Sequence, residues 1–376
     1  MLKNYLKIIF IIFVAVAYNF SSAQEVHNDY QGTYVGKVTK VVSQEEREIG
    51  WNDTKGLYQV LEIKLLSGPQ KDQTITFESD FPEISKGDKV FLNYLIDVGG
   101  VERYAITNIN RTNQIYFFIA LFVAVIILFG GKQGFRSLLA LVGSFLAIFY
   151  ILIPAILAGW HPLLICVFVA SCILFAAIFF THGFNRESLV AYSGTMLAVF
   201  ITSVLAIIAV KVTKLSGFSE DASVYLNFNT GGNLDFSGLL LGAIIIGVLG
   251  VLDDIAVTQS AVVTELFDSN KNITRLEVYK RAMRVGKEHV GALVNTLVLA
   301  YTGTALPLLL LFKIYNYDFN TVINMEIFAT EIIRTIVGSI GLVLTVPIVT
   351  LLAVIYLKDY KPKHGHSHGH SHGHSH

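Results

Sequence analysis

Two adjacent carboxylates stand inside a strongly apolar stretch, Gly247-Val-Leu-Gly250-Val-Leu-Asp253-Asp254-Ile-Ala-Val-Thr258-Gln259-Ser260-Ala-Val-Val-Thr264-Glu265. A charged side chain at the centre of a bilayer costs at least about 2.5 kcal/mol on insertion scales, and acids placed there mark ion or proton pathways by default. At helical spacing Gly247, Gly250, Asp254, Thr258 and Glu265 share one face, while Asp253, Ser260 and Thr264 form the neighbouring stripe. The glycines on the Asp254 side let another helix come close. Such a face can bind a cation or carry a proton. The competing reading is a neutral carboxyl hydrogen-bonded within a bundle, or a capped break in the helix.

A second stretch offers a complement: Gly291-Ala-Leu-Val-Asn295-Thr296-Leu-Val-Leu-Ala-Tyr301-Thr302-Gly303-Thr304-Ala-Leu-Pro307. Asn295 and Thr302 lie two turns apart on one face and could present neutral oxygens to Asp254. Plain interhelical hydrogen bonding, worth under about 1–2 kcal/mol per contact, explains them equally well. The hydroxyls Tyr192, Ser193, Thr195, Thr202 and Ser203 read as packing groups. The chain ends in His364, His366, His368, His370, His372, His374 and His376, alternating with glycine and serine. Imidazoles on so flexible a strand can converge on Zn²⁺ or another divalent transition metal. The interruptions differ from an unbroken purification tag, so the tail reads as native, with metal binding or buffering as its role. No resident cofactor is indicated beyond a metal at these histidines.

Enzyme chemistry finds no support. There is no HExxH, no G-x-S-x-G and no phosphate-cradling glycine loop. An intramembrane aspartyl protease needs a second acid on another helix, and no other apolar segment supplies one. The two cysteines, Cys166 and Cys172, share one apolar segment and read as small core residues.

These groups must be held by membrane helices. The chain is 53% hydrophobic and 15% charged, with a mean hydropathy of +0.58, against about 45–50% and 25% for an average soluble domain. Residues 1–23 read as a signal peptide: Lys3 and Lys7, a short apolar run, then Ser21-Ser22-Ala23 before Gln24. Residues 24–112 alternate as β-strands over 34–42, 58–66, 73–78, 89–95 and 103–108, with turns at Ser67-Gly68-Pro69, Lys86-Gly87-Asp88 and Gly99-Gly100. Five short strands predict a small extracytoplasmic β-domain, an OB-like barrel. Residues 113–357 predict an all-α membrane bundle of about seven transmembrane helices, near 113–130, 137–157, 162–180, 189–210, 238–266, 290–312 and 334–357. Residues 358–376 form the histidine tail. The basic segment 272–289 reads as a charged loop, with an interfacial amphipathic helix as the alternative. With the β-domain outside, Lys132, Arg136, Arg186, Arg275, Arg281, Arg284 and Lys358 fall on the cytoplasmic side, as the positive-inside rule asks. The N-terminus is then outside and the C-terminus inside. Net charge is zero, so nothing draws the chain to nucleic acid.

The motifs Gly247-x-Leu-Gly250-x-x-x-Asp254-Ile-Ala256, Glu265, Arg284-x-Gly286 and Asn295-Thr296-Leu-Val-Leu-Ala-Tyr301-x-Gly303, followed by Leu306-Pro307-Leu308, resemble those of the YibE/F family of bacterial membrane proteins. The resemblance implies a transporter-like or permease-like membrane protein without an established substrate. Asp253 and the histidine tail depart from the family pattern. Together the residues and the resemblance lead us to expect an integral membrane transporter, an ion-coupled exporter of divalent metal ions. The alternative is a non-transporting membrane scaffold whose β-domain binds an envelope protein. The bilayer is the certain partner; a homo-oligomer would be a further one.

Overall fold

The computed structural model describes residues 30–48, 55–80, 83–96, 102–219, 221–315 and 318–358. The expected signal peptide at residues 1–23 and the histidines at 364–376 lie outside the described residues. The rest divides into two compact units, one running up to Phe129 and one from Gly130 onward.

The first unit holds five antiparallel strands: β1 (Tyr30–Glu48), β2 (Lys55–Leu65), β3 (Thr74–Ser79), β4 (Lys89–Ile96) and β5 (Glu102–Ile109). Their order in the sheet is β3-β2-β1-β4-β5. The 19-residue β1 is the organiser, pairing with β4 through its first part and with β2 through the remainder. Alternation sends Val38, Leu61, Ile63, Leu65, Val90, Leu92 and Ile106 to one buried face. At Gly36, where the two pairings overlap, the missing side chain leaves room for Ile63 and Leu92. Gln59 is fully buried and pins the β3–β4 connection by a reciprocal amide pair: its Nε2 donates to Ile84 O (3.0 Å) and its Oε1 accepts from Ile84 N (2.9 Å).

The five predicted strands all form, but the predicted barrel closure does not. β3 and β5 are the two edges of an open sheet among the described residues. Ile75 and Phe77 on β3 and Tyr104 and Ile109 on β5 pack against the same core, so the sheet curls without closing. Alternation encodes which face is apolar; closure depends on strand tilt and stagger, which no local pattern carries.

The helices are α1 (Thr112–Ala147), α2 (Ile153–Leu157), α3 (Pro162–His182), α4 (Arg186–Thr213), α5 (Asp221–Asn229), α6 (Phe236–Ser269), α7 (Arg275–Thr304), α8 (Leu306–Tyr315), α9 (Phe319–Ile323) and α10 (Glu326–Tyr356). Their ends follow from local chemistry. Pro162 and Pro154 occupy first-turn positions. Asn185 caps α4 by accepting from Ser188 N (2.7 Å), Asp235 caps α6 by accepting from Gly238 N (2.9 Å), and Thr274 caps α7.

Five segments are long and apolar enough to cross a membrane: Thr112–Leu157, Pro162–His182, Arg186–Thr213, Phe236–Ser269 and Glu326–Tyr356. The pair Arg275–Thr304 and Leu306–Ile314, bent by 60°, makes a sixth if taken as one span. This differs from the expected count of about seven. The first two predicted helices are joined in one helical run, because a single residue, Gly131 (φ 51°, ψ −134°), replaces the loop expected at 131–136. The 46 residues from Thr112 to Leu157 would extend about 69 Å if straight, over twice a hydrocarbon core of about 30 Å. A second difference is the basic segment. It is not a loop but the first half of α7, with Val278, Ala282 and Gly286 buried at four-residue steps and the arginines exposed.

α6 is the hub of the bundle. Val248, Leu249 and Leu252 join Leu174 of α3, Val199 of α4 and Leu342 and Val346 of α10 in one apolar cluster. Small residues bring the backbones together: Gly194 of α4 against Val349 of α10, and Gly341 of α10 against Thr202 of α4.

Candidate functional site

The site is built on α6, where the helical period sorts polar groups onto three different surroundings. Gln259 is 2% exposed. Its Nε2 donates to Ala282 O of α7 (2.8 Å) and to Thr350 Oγ1 of α10 (2.9 Å). Thr350 in turn donates to Val346 O (2.6 Å). Gly286 makes this junction fit, since any side chain there would run into Val346 and the Gln259 amide. The Arg284-x-Gly286 motif thereby acquires a packing reason, and Gln259 acquires a role that its apolar surroundings in the sequence do not announce.

Asp253 lies on the side of α6 turned toward α3. Three turns earlier on that stripe, Gly242 sits against Cys166 of α3. Asp253 is half-buried and its Oδ1 has no hydrogen-bond partner; Ser260 Oγ, farther along the stripe, is buried and equally unpartnered. Thr264, the last polar residue there, donates to Ser260 O (3.0 Å).

Asp254 lies on the third face. Gly247, Gly250, Asp254, Thr258, Ala261 and Glu265 follow one another at three- and four-residue steps, and all are exposed. The predicted shared face is therefore real, and among the described helices from Gly130 onward it lies open except at its Gly247 end. Tyr301 reaches across from α7, its hydroxyl 2.7 Å from where a side chain on Gly247 would begin. Gly250 has nothing near it.

The level of the acids follows from the neighbouring helices. α3 and α6 run in the same direction, with Pro162 beside Gly238. α3 ends at His182, 21 residues on, while α6 runs for 34 residues to Ser269. Asp254 thus lies level with the last turn of α3, and His182 is within electrostatic reach of it. Beyond that point the stripe has no α3 to flank it. Pro347 of α10 follows Val346, which packs against Gly286 beside Gln259. A continuous helix with an internal proline therefore passes α6 one to two turns from the acids. His182 is missing from the sequence argument because it stands on a different helix at the end of an apolar run; only parallel packing brings it to Asp254.

Asn295 and Thr302 are exposed on α7, whereas its packing residues are Val278, Ala282, Gly286 and Leu297. Neither is hydrogen-bonded to Asp254. Thr302 donates to Val298 O of its own helix (2.8 Å). The expectation that they face the acid is not met within one chain, because the packing face of α7 is set by Gly286 and Leu297 on its other side. The α4 hydroxyls behave as packing groups. Ser193, Thr195, Thr202 and Ser203 donate to backbone carbonyls one turn back, and Tyr192 pairs with Ser171 of α3 (2.8 Å).

A second polar group, not anticipated from the sequence, lies toward the start of α10. Arg334 pairs with Glu331 (2.7 Å), both about one-fifth exposed. Arg334 Nε and Thr330 Oγ1 are buried without partners, and Tyr301 is within electrostatic reach of both charges. Tyr301 thus stands between this pair and the Gly247 end of the α6 stripe. Among the described residues no three His, Cys, Asp or Glu side chains converge as a metal site. A cavity of about 210 Å³ lined by Trp160, His161, Asn233 and Asp235 lies at the opposite end of α6 from Glu265.

The sequence model of the YibE/F-like protein family matches residues 118–359. The chain belongs to this family. The match takes in nearly the whole helical part of this YibE/F-like protein, including both acids, Gly286, Asn295 and Pro347, and leaves the β-sheet outside. No curated protein and no solved structure matches the chain.

Proposed function

We propose that this YibE/F-like protein is a permease-type membrane transporter in which Asp254, with Asp253 and His182, binds and releases a coupling proton or the transported cation. The observation that carries this reading is a pair of acids inside an apolar span, one exposed and one with an unpartnered oxygen. Structural acids in a bundle end up hydrogen-bonded; acids left available belong to ions and protons. Glu265 stands at one mouth of the same stripe, and the Arg334–Glu331 pair with Tyr301 lies toward the other. Pro347, one to two turns along α6 from the acids, is the hinge in this reading.

The cargo we propose is a divalent metal ion moving outward, with the cytoplasmic histidine tail as its collection point. A carboxylate pair without a third ligand suits a transient hold better than a resident one. In this arrangement Gly131 is a turn between two spans and the bent α7–α8 pair is one span, giving about seven in all, with the N-terminus outside and the C-terminus inside a bacterial inner membrane. The test is flux of Zn²⁺, Mn²⁺ and Co²⁺ in sealed vesicles. Asp254→Asn should abolish a flux that the wild type supports, at unchanged protein yield. Equal flux in both would end the proposal.

The scaffold reading draws on one observation, the open edges β3 and β5, to which a strand of an envelope protein could add. Crosslinking in intact cells that captures no partner on either edge would remove it.

A further inference from the structure

Lipid-facing and protein-facing surfaces can be told apart on this bundle by the side chains they carry. The exposed face of α3 presents Leu164, Phe168 and Phe180, that of α4 presents Leu197, Phe200 and Ile208, and that of α10 presents Ile336, Ile340 and Leu351. These are large apolar groups suited to acyl chains. The exposed stripe of α6 carries none. Along Gly247, Gly250, Asp254, Thr258 and Ala261 every side chain is small or polar. Lipid would pack poorly against the glycines and could not satisfy the acid, whereas another helix could do both.

The chain itself carries a complement. Asn295 of α7 is exposed, and its side chain makes no hydrogen bond among the described residues, unlike Thr296 and Thr302, whose hydroxyls are turned to their own helix. Among the described residues from Gly130 onward, the α6 stripe thus holds an acid without a donor and α7 an amide without an acceptor, and the packing face of α7 keeps the two apart. A two-fold axis joins such surfaces reciprocally, each copy supplying what the other lacks.

We propose that the α6 stripe is the interface of a homodimer, in which α6 crosses its counterpart at Gly250 and Asn295 of each copy donates to Asp254 of the other. The acid site is then completed only in the dimer. This inference goes beyond the transport reading and stands whether or not the protein moves an ion.

The test is disulfide trapping of the full chain in its membrane, with Cys166→Ala and Cys172→Ala as background. Gly250→Cys and Ala261→Cys should shift the chain to dimer mass on oxidation, while Ile340→Cys on the lipid-facing side of α10 should leave it monomeric. Chains carrying Thr258→Cys and chains carrying Asn295→Cys, separately tagged and expressed together, should form a mixed dimer. The proposal is overturned if the stripe cysteines trap no more dimer than Ile340→Cys. It is equally overturned if Thr258→Cys and Asn295→Cys placed on one chain close within that chain. Cysteine variants that fail to accumulate do not shelter the idea, because the unsubstituted protein must itself show dimer mass in lipid nanodiscs; a monomer there refutes it. Metal flux is not read in any arm, so loss of the transport reading leaves these results intact.

Discussion

Gln259 and Asp254 stand five residues apart on one helix and meet opposite fates. Gln259 is buried, and its amide ties α6 to α7 and α10. Asp254 is exposed on the same helix with no hydrogen-bond partner among the described residues. Both are polar groups in an apolar span and both are costly there. At Gln259 the cost is offset by assembly. At Asp254 it is left standing, and a polar group left unsatisfied is one kept available for an ion, a proton or a second copy.

The contrast predicts a graded set of responses. The largest belongs to Gly286→Val, which drives a side chain into Val346 and the Gln259 amide. Overpacking of this kind costs about 1–3 kcal/mol, read as a lower unfolding temperature in detergent and a poor yield. Gln259→Leu should come next. It removes the side-chain donor to Ala282 O and loses both interhelical bonds, at about 1–3 kcal/mol. Asp254→Leu should do the reverse, leaving thermal stability in detergent unchanged or raised while abolishing flux. If Asp254→Leu unfolds the bundle as Gln259→Leu does, the contrast between the two faces is lost. Tyr192→Phe removes one hydroxyl pair with Ser171 and should cost about 0.5–1.5 kcal/mol, with flux retained.

The smallest effect lies in the β-sheet. Lys64 hydrogen-bonds Asp72 (3.0 Å), and that bond and its charge hold the Asp72 carboxyl below the ordinary range. A lowered carboxyl contributes stability above its unfolded pKa of about 3.9 and loses it as the pH falls through the folded value. In Lys64→Met the Asp72 resonance should titrate at a higher pH by NMR, with little change in unfolding at neutral pH, because both groups are well exposed.

Much of the local structure was legible in the residues. Period-two alternation located all five strands, and runs of apolar residues located the long apolar helices, because burial of one face or of a whole span writes itself into adjacent positions. The shared face of Gly247, Gly250, Asp254, Thr258 and Glu265 is a consequence of the helical period alone. The helical state of 275–289 could have been read from Val278, Ala282 and Gly286 at four-residue steps behind the Thr274 cap, although the density of arginine and lysine pointed to a loop.

What the sequence by itself determined is thus the membrane class, the family and which residues lie together along each helix. Tertiary structure alone decided what each face meets. It placed His182 within electrostatic reach of Asp254, turned Asn295 away from it, joined Gln259 to Thr350 ninety-one residues later, and left the sheet open between β3 and β5 among the described residues. Periodicity is a property of neighbours in the chain, while contacts between helices depend on crossing angle, register and the few small residues that admit a close approach, and those are settled only when the whole bundle packs.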